Sequence, residues 1–502
     1  MNNKKQHKIQ LLPGNQMFQV EEGTLLSDVL HNYGVDFPCG GKGTCGNCLV
    51  ELLEGEIAVD NRHQELLQRK HRLSGPWRLA CFSRVESDLL LRIPYRDEVI
   101  LSDDTRIQTQ AEEGKAIAID LGSTTVVAQL IDRQSGEVLA SVAEGNNQSR
   151  CGADVIARIA YSIERKEQAE ELTTLIRRQI GNMITRLLSG CPVEDIRQVT
   201  LVGNSVMHHI FSGLDVNPFA TYPFQSETQG EQVFSPKQLG WDLPEDCQVL
   251  FLPNLSHFVG SDLLAGIYHL QIHKQEKWQA LLDLGTNGEI VIGNCNQIYC
   301  TSTAAGPAFE GVNITQGMRA ISGAIYRVEL ESGRVGVIGD VPAVGICGSG
   351  LIDAIHYFLQ QEKIDISGAI CEEGQKELLL ADQVAVYDRD IREFQLAKAA
   401  IATGFQLLLK QAGIRLSDLE HIYIAGGLGT YLDIKKAMEI GLLKAHSAEQ
   451  IRQSGNTALK GCKALTYRQA LQEIPDILAL IRHHALESDI SFQDVYCDNL
   501  CF

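Results

Sequence analysis

The stretch Phe37–Glu56, FPCGGKGTCGNCLVELLEGE, crowds Cys39, Cys45 and Cys48 into a loop with Gly40, Gly41, Gly43 and Gly46 and then runs into an apolar segment. A four-thiolate metal site needs one more ligand, and WRLACFSRVE supplies it as Cys81. The pattern is C-x5-C-x2-C, then 32 residues, then C. It differs by one loop residue from the C-x4-C-x2-C…C spacing of diiron–sulfur sites. A zinc ribbon calls for two matched C-x2-C pairs, and Cys81 has no close partner, so the spacing favours a [2Fe–2S] cluster on Cys39, Cys45, Cys48 and Cys81. The glycines fit that reading, because a loop wrapped round a cluster needs unusual φ values and brings backbone N–H groups close to the sulfides. Ordinary core cysteines fit less well, since Gly-Gly-Lys-Gly-Thr reads as loop.

Upstream, HKIQLLPGNQMFQVEEGTLLSDVLHNYGV (His7–Val35) reads as two strands joined by a turn, then an amphipathic helix with Leu26, Val29 and Leu30 on one face. Together with the cysteines, this segment resembles the β-grasp [2Fe–2S] ferredoxins over about the first 95 residues. The resemblance implies an α+β domain at 1–96 that carries one electron.

The whole chain has 502 residues and 44% hydrophobic side chains, enough for more than one packed core. Its 63 acidic and 44 basic residues leave a formal charge of −19, which repels phosphate backbones and anionic membrane surfaces. Nucleic acid and membrane are therefore not expected partners. The start MNNKKQHKIQ lacks an apolar signal core, and nowhere do eighteen apolar residues follow one another. A cytoplasmic location is expected. The ten cysteines beyond the first four are scattered without a disulfide framework, as in a reducing compartment. Cys497 and Cys501 form a C-x3-C end without third and fourth ligands.

A polar stretch at 97–114 reads as a linker. Beyond it, AIAIDLGSTTVVAQLID (Ala116–Asp132) and LLDLGTNGEIVIG (Leu281–Gly293) have the same design: an apolar run, Asp-Leu-Gly, then a second β-rich run. Asp120 and Asp283 are 163 residues apart, so a domain-sized unit is repeated. Small turn residues let backbone N–H groups reach phosphate oxygens, and a carboxylate beside each turn can hold Mg²⁺ through its waters. A third glycine turn, IYIAGGLGTYLDI, and a fourth, GICGSGLIDAI, each lead from a strand into a helix.

This order resembles the ASKHA superfamily of actin, Hsp70 and the sugar and acetate kinases, a two-lobed α/β fold. The resemblance implies ATP and Mg²⁺ in a cleft between lobes at about 115–275 and 276–480, within a domain spanning 115–502. It carries Asp120, Gly122, Ser123 and Thr124 to the first phosphate turn. Asp283, Gly285, Thr286 and Asn287 go to the second, and Gly426, Gly427 and Gly429 to the adenosine turn. Gly348, Ser349 and Gly350 are candidates for the same cleft, with tight helix packing as the alternative. Asp120 and Asp283 are the candidate catalytic carboxylates.

A ferredoxin fused to an ASKHA unit resembles the reductive activators of corrinoid proteins. NNQSRCGADVIARI, VGNSVMHHIFSGL, LPNLSHFVGSDLLAGI, TSTAAGPAFEGVNITQGMRA and REFQLAKAAIATGFQLLLKQAGI extend that resemblance over nearly the whole chain. It implies ATP-dependent transfer of one electron to a Co(II) cobamide, giving Co(I). The partners it implies are a corrinoid protein of a methyltransferase system and a low-potential electron donor, and a homodimer is left open. Larger members carry an extra domain between ferredoxin and ATPase, and the short linker implies a compact form without it. The other readings are an electron donor to a dehydratase-like metalloenzyme, a redox-sensing sugar or acid kinase, and a nucleotide-dependent scaffold.

Several residues have a bland role beside a functional one. His208 and His209, adjacent on a helix, point about 100° apart and do not grip one ion, so one buried and one exposed ring is expected. Asn204 is either an N-cap or a cleft contact, and Ser205 shares its position after a strand and glycine. Glu310 is a candidate for orienting water or binding magnesium, and Glu289 reads as a strand carboxylate facing solvent. Met207 and Met318 are expected in the core. In ELTTLIRRQIGNMITRLLSG, Leu172, Ile176, Ile180, Met183 and Leu187 form one packing stripe.

Overall fold

The computed structural model describes residues 5–12, 16–30, 35, 48–58, 61–71, 75–93, 105–107, 110–152, 154–222, 224–285, 287–381 and 383–502. Cys39, Cys45 and Thr286 lie outside the described residues.

The amino-terminal sheet has five strands in the order Gln16–Glu21, Gln6–Leu12, Leu89–Arg92, Leu49–Glu54, Trp77–Leu79. The chain-first strand Gln6–Leu12 runs parallel to the last, Leu89–Arg92, while the other pairs are antiparallel. This is the expected β-grasp arrangement. Alternation places Ile9 and Leu11 inside, where they meet Leu26, Leu30, Val50, Leu79 and Leu91 in one core.

Two six-stranded sheets follow, and they are built alike. The first has the order Gln232–Phe234, Gln248–Phe251, Ile196–Gly203, Lys115–Leu121, Thr125–Asp132, Val138–Gly145. The second reads Ile451–Gly455, Leu419–Ala425, Trp278–Leu284, Gly288–Gly293, Ile298–Thr303, Ile481–His483. In each, an antiparallel three-strand meander lies beside a strand parallel to its first member. The repeat read from the two Asp-Leu-Gly segments is therefore a repeat of topology. Residues 116–119 and 280–282 are buried on both faces of their strands, which explains why these segments are continuous apolar runs rather than alternating ones.

The helix Lys166–Leu187 buries Leu172, Ile176, Ile180, Met183 and Leu187 against the first sheet, as the stripe implies. The helix Asp388–Ala412 covers the second sheet through Ile391, Phe394, Ile401, Phe405 and Leu408. Between the lobes runs the short helix Thr457–Ala464. It leaves the second sheet at Gly455, whose φ of 65° suits a glycine. It then packs on the first lobe, where the Cys462 thiol donates to the carbonyls of Thr200 and Ile119 at 3.3 and 3.6 Å.

The described part of the expected linker is docked on the folded body. The Ile107 N–H donates to the Gly136 carbonyl at 2.9 Å and the Glu112 N–H to Arg133 O at 3.0 Å. Lys463 donates its ammonium to Thr105 O at 3.0 Å. Among the described residues, no helix is long and apolar enough to cross a membrane.

Candidate functional site

Register brings two of the four cluster cysteines together. Leu49 pairs with Leu79 across antiparallel strands, so Cys48 and Cys81 meet just beyond the end of the pair. Both are buried, and their sulfurs are 3.2 Å apart, too far for a disulfide. The Cys81 N–H points at the Cys48 sulfur at 3.5 Å. Two close sulfurs with no bond between them, one already receiving a backbone N–H, fit the donor set of an iron–sulfur cluster. Cys39 and Cys45, the other two expected ligands, fall outside the described residues.

The second site is a cleft of about 340 Å³ between the two six-stranded sheets. Its walls bring together Asp120, Gly122, Ser123, Thr124, Asn204, Asp283, Gly285, Asn287, Gly348, Ser349, Gly426 and Gly427. Gly350 is not among them: a Cβ there would sit 2.0 Å from the Ile325 carbonyl, so it serves tight packing. Gly429 belongs to the short 3-10 turn Gly427–Thr430. Gly426 has φ 87°, and a Cβ on it would lie 2.7 Å from a carboxylate oxygen of Asp283. That position needs glycine both for its dihedral and for its space.

Five carboxylates line the cleft: Asp120, Asp262, Asp283, Glu289 and Glu310. Burial raises Asp120 to about 6, against a hydrogen bond from the Asn456 amide at 2.7 Å. Burial and the charges of Asp262 and Asp120 raise Asp283 to about 7. Asp262 and Glu289 are raised in the same way, by burial first and then by their acidic neighbours. Such a cluster repels itself until a cation enters. Among the described residues no three metal-binding side chains converge on one position.

These shifts have a definite pH signature. A carboxyl near 7 in the fold and near 3.9 in the unfolded chain leaves the folded state holding the extra proton between those values, so its contribution to stability falls as pH rises from about 4 to 7. Asp283→Asn removes that burden. The expected result without nucleotide or Mg²⁺ is a variant melting a few °C above the wild type at pH 8, with the gap closing by pH 4. Scanning calorimetry at both pH values checks it.

Several single-residue expectations change. Glu289 faces the cleft and not solvent, because it pairs directly with Asp283 across the hairpin and so shares its face. Met318 lines the cleft instead of sitting in the core. Met207 is buried as expected. His208 and His209 are both buried, where one exposed ring was expected. The strand Gln248–Phe251, Phe219 and Ser226 close over them: the His209 ring meets Ser205 O and Ser226 Oγ at 2.8 and 2.7 Å and packs edge-on against Phe219, and His208 packs edge-on against Phe251. Asn204 takes both of its roles, capping the helix Ser205–Ser212 and lining the cleft. Ser205 is buried behind it, donating to Ser256 O. Glu310 accepts from the Thr124 hydroxyl at 3.2 Å, joining the two halves across the cleft.

Asp262 and Asn456 were not singled out from the sequence. Both stand at helix starts just after a glycine, Gly260 and Gly455, but outside any Asp-Leu-Gly pattern, and only the approach of the two lobes reveals them.

Comparison with known proteins adds three matched segments. Residues 9–86 match the 2Fe-2S iron-sulfur cluster binding domain, 115–275 the RACo middle region, and 277–502 the C-terminal domain of RACo, the ASKHA domain. The expectation of a compact form without the family's middle domain is thereby overturned. The segment read as the first ASKHA lobe is the middle region itself, hidden from a reading that counted only residues between the ferredoxin and residue 115. The chain is 31% identical to the corrinoid activation enzyme RamQ of Eubacterium limosum, over 96% of this chain and 97% of that protein. It is 25% identical to the [Co(II) methylated amine-specific corrinoid protein] reductase of Methanosarcina barkeri, over 77% and 76%. Among solved structures, a reductive activator for corrinoid, iron-sulfur protein superposes with a TM-score of 0.70 at 26% identity, covering 99% of this chain and 98% of that one.

Proposed function

Since this chain belongs to the family of corrinoid-activating enzymes, we propose that it delivers one electron to the Co(II) of a corrinoid protein, giving Co(I), with ATP turnover in the cleft driving the delivery. The observation that carries this reading is the helix Thr457–Ala464. Its N-cap, Asn456, holds Asp120 in the cleft, and Lys463 in its last turn holds the Thr105 carbonyl on the chain leading to the ferredoxin domain. One rigid element thus touches both the nucleotide site and the tether of the redox domain.

Cys39, Cys45, Cys48 and Cys81 would hold the [2Fe–2S] cluster, which supplies the single low-potential electron when bound. A plant-type potential lies near −400 mV, and a transfer about 200 mV uphill costs about 5 kcal/mol. Unaided, the back reaction wins. ATP changes the balance if closed and open lobes bind the partner differently, because an effector shifts an equilibrium only through its differential affinity for two states.

In the cleft, Gly122, Ser123 and Thr124 on one side and Gly285 and Asn287 on the other would hold the triphosphate; Thr286, the remaining residue assigned to the second phosphate turn, lies outside the described residues. Asp120 and Asp283 would hold Mg²⁺ through its waters. Gly426, Gly427 and Gly429 meet the adenosine end, and the amino terminus of the helix Gly348–Gln360 adds its N–H groups beside Ser349. Asp262 accepts the proton of the water that attacks the γ-phosphorus as the bond to the β-phosphate oxygen breaks and ADP leaves. Its raised proton affinity suits a base working near neutral pH. A low-potential donor refills the ferredoxin, and a reducing cytoplasm is the setting that keeps the thiols and Co(I) intact.

Lys463→Met tests the coupling. Hydrolysis of ATP alone is expected to stay close to wild type, while ATP-dependent reduction of a Co(II) corrinoid protein falls by about tenfold, within the usual range of coupling energies. Parallel anaerobic assays of phosphate release and of the Co(II) absorption band check this. Equal losses in both, or none in either, would contradict the helix as the link.

A further inference from the structure

The segment Asn146–Ile159 lies behind the first phosphate turn, and its polar side chains converge on that turn's backbone. The Asn146 amide donates to Gly122 O at 2.9 Å, and Arg158 donates through Nη2 to Ser123 O at 2.5 Å. Arg158 spends its other donors on Gly152 O at 3.0 Å and Gln148 Oε1 at 3.3 Å, and it rests on the Met207 sulfur. It is 0% exposed. Among the described residues no carboxylate lies within ion-pair distance of it; its direct partners are carbonyls, an amide and a thioether, while Asp154 and Glu310 act on its charge from farther off. A guanidinium this deep is ordinarily paired.

The peptide unit is planar and trans, so its C=O and N–H point in opposite directions. Tying Gly122 O and Ser123 O down toward Asn146 and Arg158 therefore turns the Ser123 and Thr124 N–H groups up into the cleft that both residues line. Adjacent N–H groups aimed into one concavity bind anions. We propose that Arg158 is a positioning residue for the nucleotide: it aims these two N–H groups at the phosphates and keeps beneath them a positive charge that no carboxylate touches directly. The inference rests on the nucleotide reading of the cleft and adds a residue on which no sequence motif for ATP falls. Solvent exclusion strengthens the effect, since a charge at low dielectric acts on a nearby phosphate far more than a surface lysine does.

The test compares wild type, Arg158→Met and Arg158→Lys for binding of a non-hydrolysable Mg-ATP analogue and of adenosine, by calorimetry on the full chain. Arg158→Met is expected to weaken the analogue by about tenfold or more and to leave adenosine unchanged. Arg158→Lys, which keeps the charge and one group of donors, is expected to fall between. If Arg158→Met does not fold, the lysine variant alone decides, because it must still lose affinity for the analogue and not for adenosine. Equal weakening of both ligands, or of neither, overturns the proposal and leaves a merely structural arginine. A wild type that binds neither ligand would instead refute the nucleotide reading beneath it.

Discussion

Asp262→Asn is expected to lower ATP hydrolysis by about 10²–10⁴-fold, the usual contribution of a positioned general base, with little change in KM. The side chain stands at the start of the helix Ser261–His269, where one of its oxygens already accepts the Leu263 N–H at 2.8 Å. Asparagine keeps that acceptor and the shape, so helix and cleft survive and only the proton acceptor is lost. Asp120 and Asp283 differ in consequence: their loss should raise the requirement for Mg²⁺, since they flank the phosphate turns. The wild-type rate should fall on the acid side as Asp262 takes up its proton, and the variant should lack that limb. Steady-state phosphate release across pH, with Mg-ATP and free Mg²⁺ varied, measures all four features. A variant within tenfold of wild type would remove Asp262 from the chemistry.

Cys81→Ala is expected to abolish corrinoid reduction while hydrolysis of ATP continues. Cys81 stands 3.2 Å from Cys48 in the core of the ferredoxin sheet, and alanine would remove one of the four thiolates that would hold the cluster. Iron should drop from about two atoms per chain to none after anaerobic reconstitution. The Co(II) band should then persist with ATP and reductant present. Hydrolysis should remain because the carboxylates of the cleft belong to other sheets and another core. Full iron content in the variant, or undiminished reduction, would place the electron elsewhere.

Much of this was legible in the residues because the chemistry forces local patterns. A cluster loop needs closely spaced thiols among glycines, and a phosphate turn needs small residues beside a carboxylate, so Cys39–Cys48 and the two Asp-Leu-Gly hairpins stood out. Glu289 was legible too, though it was read as facing solvent. Leu284 pairs with Gly288, which sets Asp283 opposite Glu289, and directly paired residues share a face. Like charges opposite each other are unfavourable unless something neutralises them, which is itself a signal for a cation. Arg158, Asp262 and Asn456 carried no such mark. Each takes its role from a contact between segments far apart in the chain, the longest being Asn456 to Asp120. The two histidines show the same limit. Helix geometry forbids a shared ion, but only the strands and loop packed over them bury both rings.

The docked linker follows from the same cause. Residues 105–114 look like a polar tether, yet Glu112 ion-pairs with Arg133 and its other oxygen accepts the Arg468 N–H at 2.8 Å. The tether thereby touches both lobes, so a change in the angle between them must move it or break these contacts.

The most direct measurement is a single turnover. Protein reduced in advance, freed of excess reductant and mixed anaerobically with a Co(II) corrinoid protein should bleach the Co(II) band with Mg-ATP, by no more than one cobalt per cluster. It should do so far more slowly with a non-hydrolysable analogue. Bleaching at the same rate and extent without any nucleotide would contradict the claim that the cleft drives the electron.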